Sequence, residues 1–182
     1  MMSAKVEHMN REELFRAALI RLLEVKDSDI RILTLEQARD AVDKGIHSGG
    51  AFSAVIPLVA LYYSGLMRLD VEDPTRIGQD LFVLSKGHAV AAMASIYADL
   101  GYFDRAVLKN SRSAESILNG HPGPILPGVH ISTGPLGQGV LVAQGFGLVG
   151  RDVVVADHPH LLSEAHEELC EVPGEGIIIV YQ

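Results

Sequence analysis

Hydrophobic residues near the amino terminus recur at the spacing of an amphipathic helix. Residues 1–8 have no such pattern, and Asn10 and Glu13 then stand where an N-cap residue and its acidic partner are expected. The apolar residues that follow share one helical face through about Lys26 and are Leu14, Ala18, Leu22 and Val25. The pattern therefore predicts a first helix from Asn10 to about Lys26.

The polar run Asp27-Ser28-Asp29 predicts the end of that helix. A second helix is expected from Thr34 to Lys44, with Gly45 in the C-cap role. After the Gly49-Gly50 turn, Ser53 is suited to cap a long apolar helix, Ala54–Met67, in whose first turn Pro57 is tolerated.

Short apolar runs and helical patterns alternate through the rest of the chain. A polar loop is expected at 70–80, strands at 81–84, 153–155 and 177–181, helices at 89–100, 136–149 and 161–169, and a helical turn near 106–110. Strands separated by helices predict an α/β layered fold with a parallel sheet. Because only three strands are expected, the sheet is small or is completed by another chain.

Composition narrows the class of protein. A chain of 182 residues with 48% hydrophobic residues can bury one good core. The net charge is −8 and the basic residues are scattered, which argues against a nucleic-acid partner. The apolar runs are too short to span a bilayer, and the polar, acidic start of the chain has no signal-peptide pattern. Cys170 is the single cysteine, which fits a reducing, cytoplasmic location.

Histidines next to glycines form the main candidate site. They occur in 46–50, 85–88 and 120–122, and a glycine-rich run follows at 132–139. Glycine permits close backbone approach and imidazole donates hydrogen bonds or protons, a combination suited to an anionic ligand. For each cluster a structural alternative exists: a tight turn with a solvated Lys86, a surface turn around His121, and close helix packing at the glycine-rich run. That run matches neither the dinucleotide fingerprint nor a P-loop.

A second group of potential ligands lies near the carboxyl terminus. Asp157, His158, His160 and His166 could form a zinc site, but a solvated cluster that partly caps a helix is the alternative. Cys170 has no flanking signature of a nucleophile, so a buried structural thiol is expected.

The clusters together resemble the N-terminal, diphosphate-binding domain of the transketolase family. The motifs are Ile-His-Ser-Gly-Gly-Ala-Phe-Ser (46–53), Asp-Leu-Phe-Val-Leu-Ser-Lys-Gly-His-Ala (80–89), Gly-Tyr-Phe (101–103), Gly-His-Pro (120–122) and Pro-Gly-Val-His-Ile-Ser-Thr-Gly-Pro-Leu-Gly-Gln-Gly (127–139). The resemblance covers about Leu35–Gly150. It implies a three-layer α/β/α thiamine-diphosphate-binding fold with a mainly parallel sheet over residues 31–182, preceded by a helical extension at 1–30.

The resemblance also implies cofactors, a reaction and site residues. Family enzymes use thiamine diphosphate and Mg²⁺ to transfer a two-carbon ketol unit between sugar phosphates. His47 would face the reacting carbons and His121 the donor hydroxyl, His88 would lie beside the diphosphate, and Gly134 and Leu136 would present backbone groups to the aminopyrimidine.

The sequence departs from the family pattern at two places. Ile46 stands where the family generally has Gly before the first His. After Gly150 the pattern is truncated or degenerate: Asp157 occupies the place of the metal-binding Asp, but Ala156 and His158 replace its flanking glycines, and the Asn ligand is absent or replaced by Gln182. These changes predict weakened binding of metal and cofactor.

The family's pyrimidine-binding domain lies in a later segment, and family sites form between subunits. The resemblance therefore implies a homodimer, or a heteromer with a chain that carries that domain. A non-catalytic scaffold or regulatory subunit is the alternative, and a different metal at Asp157, His158 and His160 is a third possibility.

Overall fold

The computed structural model describes residues 9–41, 45–148, 152–156 and 176–180. Its first element is helix α1, Arg11–Asp40. The predicted N-cap is confirmed, because the Asn10 side chain accepts from the Glu13 amide at 3.0 Å and the Glu13 carboxylate accepts from the Asn10 amide at 2.9 Å. This capping box satisfies two of the amides that a helix start leaves unpaired.

The predicted break at Asp27-Ser28-Asp29 is wrong, because α1 runs through it without interruption. The polar side chains make bonds compatible with a helix: Asp27 accepts from Arg31 Nε at 2.9 Å, and Ser28 Oγ donates to the Glu24 carbonyl at 3.2 Å. Ile30, which directly follows this polar run, is fully buried. Tertiary burial of this turn outweighs the weak helix preference of Asp and Ser.

The second predicted helix is part of α1. The helix ends at Asp40, with Ala41 as the C-cap residue. Gly45 lies beyond it in the left-handed region, at φ +58°. It thus takes the backbone conformation expected of a glycine after a helix, although the helix ends earlier than predicted.

Helix α2, Ser48–Tyr63, begins earlier and ends earlier than predicted. Ser53 lies inside it and its hydroxyl donates to the Gly50 carbonyl at 3.0 Å, and Pro57 lies in the helix interior. The early start places Ala51, which is fully buried, in the first turn of the helix. A Cβ on Gly50 would be in ordinary contact with His88 Cβ, at 3.7 Å, so this turn packs beside the loop that carries His88.

The remaining elements follow the predicted order. They are strand β1 at Leu81–Leu84, a 3-10 turn at Gly87–Ala89, helix α3 at Val90–Leu100, a 3-10 helix at Arg105–Asn110, helix α4 at Gln138–Leu148, strand β2 at Asp152–Ala156 and strand β3 at Gly176–Val180. The predicted helix at 161–169 lies outside the described residues.

The three described strands pair in the order β1-β3-β2, and both pairs are parallel. Ile177 of β3 is the partner of Leu81 on one side and of Val153 on the other. Parallel pairing brings the carboxyl ends of the strands to one edge, where ligands of α/β proteins gather.

Strand β1 has packed helices on both faces. Phe82 and Leu84 belong to the larger core cluster, formed mainly by residues of α2 and α3, with Ile30 of α1. Leu81 and Val83 pack instead with Ala143 of α4. This alternation follows the period of two in a strand, and burial on both sides explains the uninterrupted apolar run.

Candidate functional site

The candidate site lies at the carboxyl end of β1. Ser85 and Lys86 leave the strand and lead into the 3-10 turn at Gly87–Ala89. The glycine-rich loop is tied to the same point, because the buried Thr133 hydroxyl donates to the Leu84 carbonyl at 2.6 Å. The two most distinctive sequence clusters are therefore neighbours in space.

Three histidines from separate segments are in ring contact there. The His47 and His88 rings have centroids 4.7 Å apart, and the His88 and His121 rings also have centroids 4.7 Å apart. Both pairs meet edge to face, at interplanar angles of 74° and 81°. His47 is the N-cap residue of α2, His88 lies in the 3-10 turn and His121 lies in a loop. The fold thus gathers the three predicted imidazoles into one row.

Two glycines allow the loops of the site to touch. A Cβ on Gly87 would lie 2.9 Å from the Thr133 carbonyl oxygen and 3.1 Å from His121 Cδ2. A Cβ on Gly139 would lie 2.6 Å from Ser85 Cα. Real Cβ atoms do not approach so closely, so both positions need glycine for packing. For Gly139 the packing alternative considered from the sequence is confirmed.

Gly134 and Leu136, the predicted cofactor-binding pair, lie between Thr133 and α4. A Cβ on Gly134 would be in ordinary contact with the His121 ring, 3.6 Å from Cδ2. The Leu136 side chain is 67% exposed. Gly134 is therefore next to the histidine row, whereas Leu136 is open to solvent.

Lys86 adds an ammonium group beside the row. Its Nζ donates to Ser53 Oγ at 2.6 Å, which links the end of β1 to α2. Burial lowers the pKa of Lys86 from its usual value.

The electrostatics of the row favour an uncharged imidazole at His121. Its pKa is lowered by partial burial first, and then by the neighbouring His88, His47 and Arg112. Histidine normally titrates at about 6.5, so His121 is predominantly neutral at pH 7 and one ring nitrogen can accept a proton.

A small cavity beside the histidines includes a residue that the sequence did not single out. Its volume is about 20 Å³, enough for about one water, and His47, His88, Gln37, Ser111 and Arg112 are among its lining residues. Arg112 Nη1 donates to the Gly45 carbonyl at 2.6 Å. No local motif marks Arg112, because its position depends on how two distant loops meet.

The metal-ligand candidates from the carboxyl-terminal part of the sequence, with Cys170, lie outside the described residues: Asp157, His158, His160 and His166. Within the described ranges, no group of three or more His, Cys, Asp or Glu is arranged to hold a metal ion. In the same part of the chain, no helix has the length and apolar character that a membrane span needs.

Fold and site together define an α/β domain with histidines and glycine loops at the carboxyl edge of its strands, as in domains that bind anionic cofactors. The family model described as "Transketolase, thiamine diphosphate binding domain" matches residues 24–160. The chain belongs to this family.

Curated relatives support the assignment. Human transketolase is 34% identical over 132 residues, which are 72% of this chain and 21% of the relative. An apulose-4-phosphate transketolase subunit of Phocaeicola vulgatus is 36% identical over 108 residues, 59% of this chain and 38% of the relative. The chain thus spans well under half the length of these relatives.

Solved structures support the fold. Transketolase from Leishmania mexicana superposes with a TM-score of 0.65 at 20% sequence identity, over 88% of this chain and 36% of the other. Transketolase from Pichia stipitis, in complex with sedoheptulose 7-phosphate, also gives 0.65 at 20% identity, over 88% and 36%. The α/β class predicted from the sequence is thereby confirmed.

Proposed function

We propose that the chain binds thiamine diphosphate and Mg²⁺ as one component of a transketolase-type enzyme. A partner chain with the pyrimidine-binding domain completes the site, and the assembly transfers a two-carbon ketol unit between sugar phosphates. The observation that carries this proposal is the contact row of His47, His88 and His121 next to the glycine-rich loop. The full domain would have the three-layer α/β/α arrangement.

The described residues fit an anionic cofactor. They supply three imidazoles and the Lys86 ammonium, together with loops whose glycines permit close approach. Thiamine diphosphate, when bound, supplies an electron sink for a carbanion. His88 would donate to the diphosphate, and the backbone at Gly134 and Leu136 would contact the aminopyrimidine. Asp157 would contribute the metal ligand of this chain.

His47 and His121 would act on the sugar. Both residues are exposed, so a substrate can reach them. His121, with its lowered pKa, would accept or donate a hydrogen bond as a neutral imidazole at the donor hydroxyl. His47 would hydrogen-bond near the reacting carbons.

The proposed partner would supply the pyrimidine-binding domain, because the family model that matches residues 24–160 is that of the thiamine diphosphate binding domain. The Phocaeicola vulgatus relative is named as one subunit of its transketolase, which supports an arrangement in separate chains. We propose a heteromer with such a partner, or a homodimer within a larger assembly. A cytoplasmic location stays a prediction from the single cysteine.

A second candidate function is a non-catalytic scaffold that docks to an active homologue. It is favoured by the sequence Ala156-Asp157-His158, in which glycines expected on both sides of the metal ligand are missing. Ala156 and His158 have side chains and a less flexible backbone than glycine, so the metal and the diphosphate would be held less well.

Isothermal titration with thiamine diphosphate and Mg²⁺ tests the first proposal. The chain is titrated alone and with a candidate partner taken from the adjacent coding sequence. We expect binding of about one equivalent per chain in the presence of the partner. His88→Ala should weaken it about 10- to 100-fold, the value of a charge-assisted hydrogen bond. Arg21→Gln, at an exposed arginine of α1, is the control.

The same experiment separates the candidates. Cofactor binding, followed by transfer from a ketose phosphate to an aldose phosphate, supports the enzyme component. Partner binding without cofactor binding supports the scaffold. If the chain binds neither cofactor nor partner, both proposals are wrong.

A further inference from the structure

Arg112 has an unusual backbone conformation close to the histidine row. Its φ is +62°, and among the described residues it is the one non-glycine residue with a positive φ. An L-residue pays a steric penalty there, because its Cβ crowds the backbone. Such conformations persist where the surroundings impose them, and they are frequent at functional sites.

Two anchors hold Arg112 in this conformation. Its amide donates to the Leu118 carbonyl at 2.7 Å, which closes the loop that precedes His121. The preceding residue, Ser111, is buried and its hydroxyl lies 2.8 Å from the Leu108 carbonyl and 3.2 Å from Gln37 Oε1. These contacts fix the backbone at Arg112, and the backbone in turn sets the direction of the Arg112 side chain.

The side chain joins the two loops that carry the outer histidines. Its Nη1 donates to the carbonyl of Gly45, two residues before His47. On the other side, a Cβ on Gly120 would lie 3.7 Å from Arg112 Nε and 3.9 Å from its Cζ, so the guanidinium lies against the residue before His121. A planar, five-donor group is suited to such a bridge, whereas an ammonium is a point charge.

We propose that Arg112 is a positioning residue whose guanidinium joins the loops at Gly45 and Gly120, sets the spacing of His47 and His121, and places its positive charge next to the His121 loop. The proposal rests on the proposed function only in taking these two histidines as the groups that face substrate. The charged and titratable groups facing His121 are His88, His47 and Arg112, and each of them opposes protonation of its ring.

Three variants distinguish the contributions of the charge, the guanidinium geometry and the backbone conformation of Arg112. Arg112→Gln removes the charge. Arg112→Lys keeps the charge but lacks the planar guanidinium with its five donors. Arg112→Gly removes the side chain and adopts the positive φ without strain. Arg21→Gln is the control, because it removes the same charge from an exposed arginine of α1.

Two measurements on the full chain, without cofactor, report the two effects. Proton NMR titration gives the pKa of His121, whose signal is assigned with His121→Gln. Amide exchange of Ala51 reports the His47 loop, because this amide donates to the His47 carbonyl at 2.9 Å.

We expect the pKa of His121 to rise in Arg112→Gln and Arg112→Gly and to stay near the wild-type value in Arg112→Lys. Ala51 exchange should become faster in all three variants, and neither readout should change in Arg21→Gln. Arg112→Gly should melt at or above the temperature of Arg112→Gln, because the strain is gone.

Wild-type values of both readouts in Arg112→Gly would overturn the proposal, since the residue would then act through its backbone alone. Equal shifts in Arg112→Gln and Arg21→Gln would also overturn it. If the glutamine and glycine variants fail to fold, unchanged Ala51 exchange in Arg112→Lys still decides against it. None of these outcomes depends on thiamine diphosphate binding, so a failure here is distinct from a failure of the proposed function.

Discussion

Two glycines of helix α4 show how differently single residues of one element are constrained. A Cβ on Gly139 would lie 2.6 Å from Ser85 Cα and 2.7 Å from Ser85 Cβ. A Cβ on Gly145 would meet no atom within 4 Å. Gly139 lets α4 start in contact with the end of β1, whereas a Cβ at Gly145 would meet no neighbouring atom.

Gly139→Ala should destabilise the domain by about 1–3 kcal/mol, because backbone atoms at Ser85 cannot move aside freely. Gly145→Ala is the matched control and should stabilise it by about 0.5–1 kcal/mol, the usual gain at a helical glycine. Urea unfolding followed by circular dichroism measures both. Equal effects of the two substitutions would contradict the contact at Ser85.

At the residue scale, the sequence identified candidate site residues more reliably than it predicted their contacts in the fold. His47, His88 and His121 stand out through their glycine neighbours, and the structure brings them into contact. Arg112 stands out through nothing local, because its contact with Gly45 joins positions 67 residues apart. Contacts of this kind exist only once the chain has folded.

Helix α1 illustrates what hydrophobic periodicity predicts about an element. The apolar stripe recognised from the sequence is largely exposed: Leu14, Leu22 and Val25 are 40%, 43% and 45% accessible. The buried residues of this helix are Ile30, Thr34 and Gln37. Periodicity therefore indicated a helix correctly, but it did not identify the face that packs on the core.

Substitutions at buried and at exposed positions of α1 should therefore differ in their effect on the free energy of unfolding. Ile30→Ala should cost about 2–5 kcal/mol, because it leaves a cavity at a fully buried position. Phe15→Ala, at a side chain that is 68% exposed, should change the free energy of unfolding by less than about 0.5 kcal/mol. Chemical unfolding of both variants checks the prediction. A large loss in Phe15→Ala would show that the surface of α1 around Phe15 is covered in solution.

Asp99 connects several elements of the whole molecule. Its carboxylate accepts from Lys26 of α1 at 2.6 Å and from Tyr63 of α2 at 2.5 Å, and it also pairs with Arg105 of the 3-10 helix. The Asp99 side chain is 3% exposed. Burial opposes its ionisation, but the bonds from Lys26 and Tyr63 outweigh burial, and the pKa of Asp99 is lowered.

Asp99→Asn should cost about 3 kcal/mol at pH 7, because cationic partners lose a buried carboxylate. A lowered folded-state pKa means that the stabilisation is present above the unfolded pKa and is lost as the pH falls through the folded value. The difference between wild type and variant should therefore shrink below about pH 4. Thermal melts across this range measure it.

Glu24→Gln serves as the control, since the Arg21–Glu24 pair is exposed. It should change stability by less than about 0.5 kcal/mol. A constant difference between wild type and Asp99→Asn from pH 7 to 3 would contradict an ionised Asp99 as the source of the stabilisation.

The sequence by itself determined the element types, the strand at Leu81–Leu84 and the family, because period-2 and helical patterns and short glycine–histidine motifs are local properties of the chain. It did not determine that α1 continues through Asp27–Asp29, that α2 starts at Ser48, or that Arg112 joins two loops. Only the tertiary structure decided these, because each depends on burial or on close approach between segments distant in the chain. Local preferences of about 1 kcal/mol or less are readily outweighed by such contacts.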